Sequence, residues 1–177
     1  MLNSLKPVGA GNIPEEVNVI IEIPAQSSPI KYEIDKETGA MFVDRFITTP
    51  MFYPCNYGFV PETLAEDGDP TDVLVITPYP LIHDSVIKAR PIGILKMEDE
   101  AGKDSKILAV PTNKVCKSYC NIKSINDIGV TLKDQIEHFF TYYKDLEEGK
   151  WVKIDGWGDD SDAKQDLINT FKAYHKK

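Results

Sequence analysis

Cysteine is sparse in this chain, positive charge is outnumbered by negative, and long apolar runs and repetition are missing. The three cysteines, Cys55, Cys116 and Cys120, are odd in number and form no CxxC pair. That pattern fits neither a disulfide framework nor the common zinc-ligand spacings, so reduced thiols and a cytoplasmic location are expected. The first residues, MLNSLKPVGAGNIPEE, place no long apolar run behind a basic start, and no later stretch approaches the length of a membrane span. Neither export nor anchoring is marked. Lys and Arg number 20 against 28 Asp and Glu, a net charge of −8, and a surface of that sign repels nucleic acid and anionic membranes. No internal repeat, low-complexity tract or long polar linker interrupts the 177 residues. With 42% apolar content the chain can bury a sizeable core, and one domain over residues 1–177 is expected.

What the chain does have is a series of short β-branched runs. VNVIIEI puts Val17, Val19, Ile21 and Ile23 on one face of a strand and Glu22 on the other. Lys31 to Ile34 and Ala40 to Ile47 read as a hairpin around the turn KETG. Further strands are expected at Val73 to Thr77, Val86 to Met97, Ile107 to Val110 and Trp151 to Ile154, and so many short strands suggest a barrel. Thr131 as N-cap with Asp134 at N3 predicts a helix carrying Leu132, Ile136, Phe139, Phe140 and Tyr143 on one face before Gly149. A second helix is predicted from near Ser161, with Leu167, Phe171 and Tyr174 in one stripe and a basic end.

The segment EDGDPTDV concentrates acid. Asp67, Asp69 and Asp72 fall within six residues, with Glu66 alongside, in a loop shaped by Gly and Pro ahead of the strand VLVI. Carboxylates this close repel unless a cation neutralises them, and hard cations such as magnesium take oxygen ligands from one or two carboxylates plus water and phosphate. On the loop alone, a solvated acidic turn is an equally good reading. A calcium EF-hand is excluded, because counting from Asp67 puts Asp72 where Gly is required and Pro78 where Glu is required. Asp67, Asp69 and Thr71 also match the DxDxT nucleophile motif of haloacid-dehalogenase-like phosphatases, in which Asp67 would attack covalently. There the motif follows a buried strand of an α/β sheet, whereas here the strand follows the motif.

The same loop resembles the signature DGDPxDV of the family I soluble inorganic pyrophosphatases, with Thr71 where that family usually has an apolar residue. Thr is near-isosteric with Val, but its hydroxyl needs a partner if buried. The resemblance continues through IEIP (Ile21 to Pro24), IKYEID (Ile30 to Asp35), DRF (Asp44 to Phe46) and MFYPCNYGF (Met51 to Phe59). It extends into ILKMEDEAGKDSK (Ile94 to Lys106), HFFTYYKDLE (His138 to Glu147) and GKWVKIDGW (Gly149 to Trp157). Many separated motifs in one order are far more specific than any single one, and the likeness is to the bacterial type.

That resemblance implies a mainly β fold with helices (α+β), a five-stranded closed OB-like barrel flanked by two helices, hydrolysing pyrophosphate to two phosphates. It implies Mg2+ held by Asp67, Asp72, Asp99 and Asp104, with Asp72 bridging two ions, and direct attack by a metal-activated water or hydroxide. Asp69 resembles the carboxylate that takes the water's proton, a role that suits a group with little cation contact of its own. Lys31, Arg45, Tyr57 and Tyr143 resemble the substrate-holding residues, joined by Lys106 and Lys144. Glu22, Glu33 and Tyr53 are expected to orient ligands or water from behind, whereas Glu98 and Glu100 are expected to be ordinary solvated acids. The relatives assemble as hexamers of two stacked trimers, and a homohexamer is expected here. Of the histidines that relatives place on the first helix only His138 is present, with Tyr142 one turn on. OB-like barrels also bind oligonucleotides, an alternative that the net negative charge opposes.

Overall fold

The computed structural model describes residues 8–176. Along the chain these form β1 (Gly11–Asn12), β2 (Glu16–Ile23), β3 (Ile30–Ile34), β4 (Met41–Phe46), β5 (Asn56–Phe59) and β6 (Asp72–Val75). There follow β7 (Val86–Asp99), β8 (Gly102–Lys103), β9 (Lys106–Pro111), α1 (Val130–Tyr142), β10 (Val152–Gly158) and α2 (Asp160–Tyr174).

Five of the strands close a ring. β2 pairs with β5, β5 with β6, β6 with β9, β9 with β7, and β7 returns to β2. All of these pairings are antiparallel except β6 with β9, which run parallel. Closure satisfies the backbone donors and acceptors that open edges would leave free. The expected five-stranded OB-like barrel with two flanking helices is therefore present. The 14-residue β7 makes the ring possible: its first residues pair with β2, its middle with β9, and its last with β10 and β8. β3 and β4 form a separate hairpin in which Lys31 and Arg45 are direct partners.

Alternate residues along the strands enter two apolar clusters. Leu74 and Leu108 join Ile136, Phe139 and Phe140 of α1, while Val73, Val75 and Ile107 join Ala163 and Leu167 of α2. Side chains on both faces of β6 and β9 are thus buried, as period-two alternation between two covered faces requires. At Gly58 the strands β2 and β5 approach so closely that a Cβ would lie 1.9 Å from the Ile20 carbonyl oxygen. Only glycine fits there, and it sets Tyr57 in place beside it.

Several boundaries differ from expectation. α1 begins after Gly129, not after Thr131, because the Gly129 carbonyl already accepts from the N–H groups of Leu132 and Lys133. The capping box belongs instead to the preceding short turn, where Ser124 and Asp127 cap each other's backbone. α2 begins at Asp160, one residue before the expected start near Ser161, because the Asp159 side chain caps it by accepting from the N–H of Asp162. In its stripe Leu167 is buried, but Tyr174 is exposed. β5 has no counterpart among the expected strands, and β10 runs on to Gly158.

Candidate active site

The barrel's pairings bring distant residues to one mouth. Parallel register sets Asp72, the first residue of β6, directly beside Lys106, the first residue of β9. Asp99 ends β7, and the tight β7–β8 turn brings Asp104 back beside it. Tyr57 projects from β5 and Glu22 from β2, while Tyr143 and Lys144 follow the last turn of α1. The loop between Val60 and Asp72 supplies Asp67 and Asp69, with Gly68 at φ +94° making its turn. All fourteen residues expected at a site line one cavity of about 320 Å³.

Charge in this cavity is crowded and unbalanced. Its walls carry eight carboxylates and six cationic side chains. The side chain of Lys106 is only 3% exposed; its ammonium lies 2.5 Å from Asp72 and also contacts Asp104. Burial alone would make Lys106 easier to deprotonate, but Asp72 and Asp104 outweigh it and hold its pKa above the usual lysine value. Burial pushes the Asp104 carboxyl up to about 6 despite that ammonium, with Asp72 adding to the rise. Lys144 sits 2.6 Å from Asp99. Burial also raises Asp67, and neighbouring Asp69 and Asp72 raise it further against the hydrogen bond from the Asp69 N–H.

Around this centre the aromatic and acidic groups are held firmly. Burial raises Tyr53 and Tyr57 well above the ordinary tyrosine value, and Tyr143 is raised for the same reason, so all three keep their hydroxyl protons. Tyr143 stacks on Phe139 with ring centroids 5.1 Å apart. Glu22 lies on a polar face of its strand as expected but is buried, and burial pushes it up to about 8 even though it accepts from the Ile34 N–H. Asp44 bridges two cations, lying 3.1 Å from both Lys31 and Arg45. The Arg45 Nε lies 3.5 Å from the Glu147 carboxylate.

Some cavity residues carried no mark in the sequence. Lys36 reaches Asp69 at 2.5 Å from the β3–β4 turn, so Asp69 has a cation contact that its expected role did not include. Glu100 is not a free solvated acid: it pairs with Lys144 and Lys150. Burial would raise its carboxyl, but the Lys150 hydrogen bond and both ammonium groups bring it down to about 2. These contacts cross 33 residues for Lys36 and 50 for Lys150, and no local motif signals them.

The donor set suits a hard divalent cation. Asp67, Asp72, Asp99 and Asp104 offer oxygen only, and burial raises two of them toward protonation, an energetic cost that a bound cation relieves. Among the described residues no three acidic, histidine or cysteine side chains already converge on one point. Lysine ammonium groups stand against three of these carboxylates instead. Among the described residues no helix is long and apolar enough to cross a membrane.

The profile of the inorganic pyrophosphatase family matches residues 19–175. An inorganic pyrophosphatase of Yersinia pestis is 58% identical over 174 residues, 98% of this chain and 99% of that protein. One of Escherichia coli strain K12 is 58% identical over 175 residues, again 98% and 99% of the two chains. The solved inorganic pyrophosphatase of Coxiella burnetii superposes with a TM-score of 0.92 at 54% identity, covering 94% of this chain and 99% of that one.

Proposed function

This chain belongs to the inorganic pyrophosphatase family and hydrolyses inorganic pyrophosphate to two phosphates; from that premise we propose that magnesium ions on Asp67, Asp72, Asp99 and Asp104 support the reaction and that Asp69 is its base. The charge count of the cavity carries this reading. With Glu22 kept protonated by burial, seven carboxylates still face six cations, so the site is negative before a polyanionic substrate arrives, and divalent cations are what reverse its sign. Magnesium, when bound there, neutralises phosphate oxygens and acidifies water.

The chain's own residues do the rest. Asp69, oriented by Lys36, accepts the proton of the attacking water, whose oxygen bonds to one phosphorus as the bridging bond breaks. Lys31 and Arg45, adjacent across the hairpin and tethered by Asp44, hold the oxygens of one phosphate. Arg45 presents a fork and Lys31 a point charge. Tyr57 and Tyr143 keep their protons because burial disfavours the phenolate, and so donate to oxygens that gain charge in the transition state. Lys106 and Lys144, each paired with a carboxylate of the cluster, contribute positive charge toward the phosphate oxygens. Glu22, Glu33 and Tyr53 orient these groups from behind.

The same charge count disfavours oligonucleotide binding, which needs a positive groove. A closed barrel also disfavours the covalent phosphatase reading, whose motif belongs to an α/β sheet. Phe42, Phe46 and Phe52 are exposed in the single chain, apolar area that subunit contacts in a homohexamer would cover. Three free cysteines accord with a reducing cytoplasm. Phosphate release from pyrophosphate, with and without magnesium, tests the reading in the native chain and in Asp69→Asn. The expected result is magnesium-dependent release that collapses in the variant. A native rate in Asp69→Asn would remove it as the base.

A further inference from the structure

Two buried hydroxyls far apart in sequence meet behind the acidic loop. Thr71 and Thr170 are both buried, and the Thr71 hydroxyl donates to that of Thr170 at 2.8 Å across 99 residues. Each hydroxyl has one proton, and Thr170 directs its own to the Asp166 carbonyl at 3.1 Å, with that of Leu167 at 3.3 Å. The Thr170 backbone takes part as well, since its carbonyl accepts from the Leu64 N–H at 3.0 Å. Residues 64 and 71 are the two ends of the loop that carries Asp67 and Asp69 and leads into Asp72. Both ends of that loop are seated on a single residue of α2.

The loop has reason to need such an anchor. Asp67, Asp69 and Asp72 crowd three like charges into six residues and repel one another. Between its ends the loop is held by short-range bonds: Ala65 N–H to the Asp69 carbonyl, Gly68 N–H to the Ala65 carbonyl, and Asp69 N–H to the Asp67 carboxylate. These fix its curvature. They do not fix where it stands relative to the barrel. The Thr63 hydroxyl ties the loop's two ends together by accepting from the Thr71 N–H at 2.9 Å; outside the loop, the exposed ion pairs Lys36–Asp69 and Lys103–Glu66 reach its middle, contacts of little worth in solvent, and the buried anchor is Thr170.

We propose that Thr170 is a positioning residue for pyrophosphate hydrolysis, clamping both ends of loop 64–71 onto α2 and so setting the carboxylates of Asp67 and Asp72 for cation uptake. α2, which otherwise only covers the barrel, becomes part of the catalytic apparatus through this residue. The inference rests on the magnesium reading of the loop acids.

The test compares Thr170→Val, Thr170→Ser and Thr71→Val with the native chain by two measurements made without substrate. One is hydrogen exchange of the amides of Ala65, Gly68 and Asp69 in metal-free protein; the other is magnesium binding by titration calorimetry. Thr170→Val is expected to speed loop exchange by roughly fivefold to tenfold, as loss of one buried hydrogen bond does, and to weaken magnesium binding about tenfold. Thr170→Ser, which keeps the hydroxyl, is expected to restore both. Should Thr170→Val fail to fold, Thr71→Val removes the same bond from the other side and is expected to shift both readings in the same direction. Native loop exchange and native magnesium affinity in either valine variant, whatever its melting temperature, overturn the clamp. A native chain that takes up no magnesium overturns instead the metal reading beneath it, a distinguishable result.

Discussion

Replacing Lys106 with Met removes a buried ammonium while nearly keeping its volume. The side chain is 3% exposed and its Nζ contacts Asp72 and Asp104, so the change leaves two acids facing each other without compensation. Removing one partner of a buried pair typically costs about 3–5 kcal/mol. Asp104 already stands at about 6 with the ammonium present, and without it that acid can escape part of the cost by taking up a proton. About 3 kcal/mol is therefore expected in metal-free protein near pH 7.5, which for a chain of this length is a fall of roughly 6–12 °C in the melting temperature. Magnesium reverses the argument, because a cation bound among the same carboxylates supplies the missing charge. A ligand at a hundredfold excess over its Kd stabilises the native state by about 2.7 kcal/mol, and the variant has more to gain than the native chain. Thermal unfolding followed by circular dichroism, in EDTA and in excess magnesium, is expected to show a gap between the two proteins that magnesium narrows. A gap of equal size in both conditions, or none in EDTA, would refute the reasoning.

Three further outcomes are expected. Burial and neighbouring Glu66 push the Asp166 carboxyl up to about 6 from its ordinary 3.8. The folded state therefore binds this proton more tightly than the unfolded one, and the associated stability is lost as pH rises from about 4 through 6. Asp166→Asn should then stabilise the protein by about 1–2 kcal/mol at pH 7.5 and by nothing near pH 3.5, within a full conversion of about 3 kcal/mol reduced by solvent screening. Urea titrations at the two pH values read this. Glu147→Gln, which loosens the hold on Arg45, should raise KM for pyrophosphate by about fivefold with kcat within about twofold, as steady-state kinetics can separate. Sedimentation velocity at micromolar concentration is expected to show a hexamer, and Phe46→Glu, at a side chain 70% exposed in the single chain, should shift it toward smaller species.

The parts of the fold that were legible in the sequence are those where one local rule acts alone. Val17, Val19, Ile21 and Ile23 recur at every second position, and all four are buried. Asn56–Phe59 escaped because four residues containing Asn and Gly show no period, and their strand state follows from the close crossing at Gly58 that only the closed ring creates. α1 starts earlier than Thr131 and Asp134 suggest: those two residues imitate a capping box, while the Gly129 carbonyl already accepts the first N–H groups of the helix. The acid loop announced itself through density of charge. Lys31, Tyr57 and Tyr143 have no such local signature and were reached only through resemblance over the whole chain. Lys36, Glu100 and Lys150 join the cavity by contacts that depend on how hairpin, barrel and helix end meet, and these are set by tertiary packing. Thr71 raised a question that only the fold answers: its hydroxyl's partner is Thr170.

The most direct test of the account is a crystal of this chain grown with manganese, an oxygen-preferring substitute for magnesium, and examined by anomalous scattering. Strong anomalous peaks within about 2.5 Å of carboxylate oxygens of Asp67, Asp72, Asp99 and Asp104 are the predicted result, with the ammonium groups of Lys106 and Lys144 displaced from at least one of those acids. A saturating manganese soak that leaves these carboxylates without a peak would contradict the assignment of the metal to this cluster.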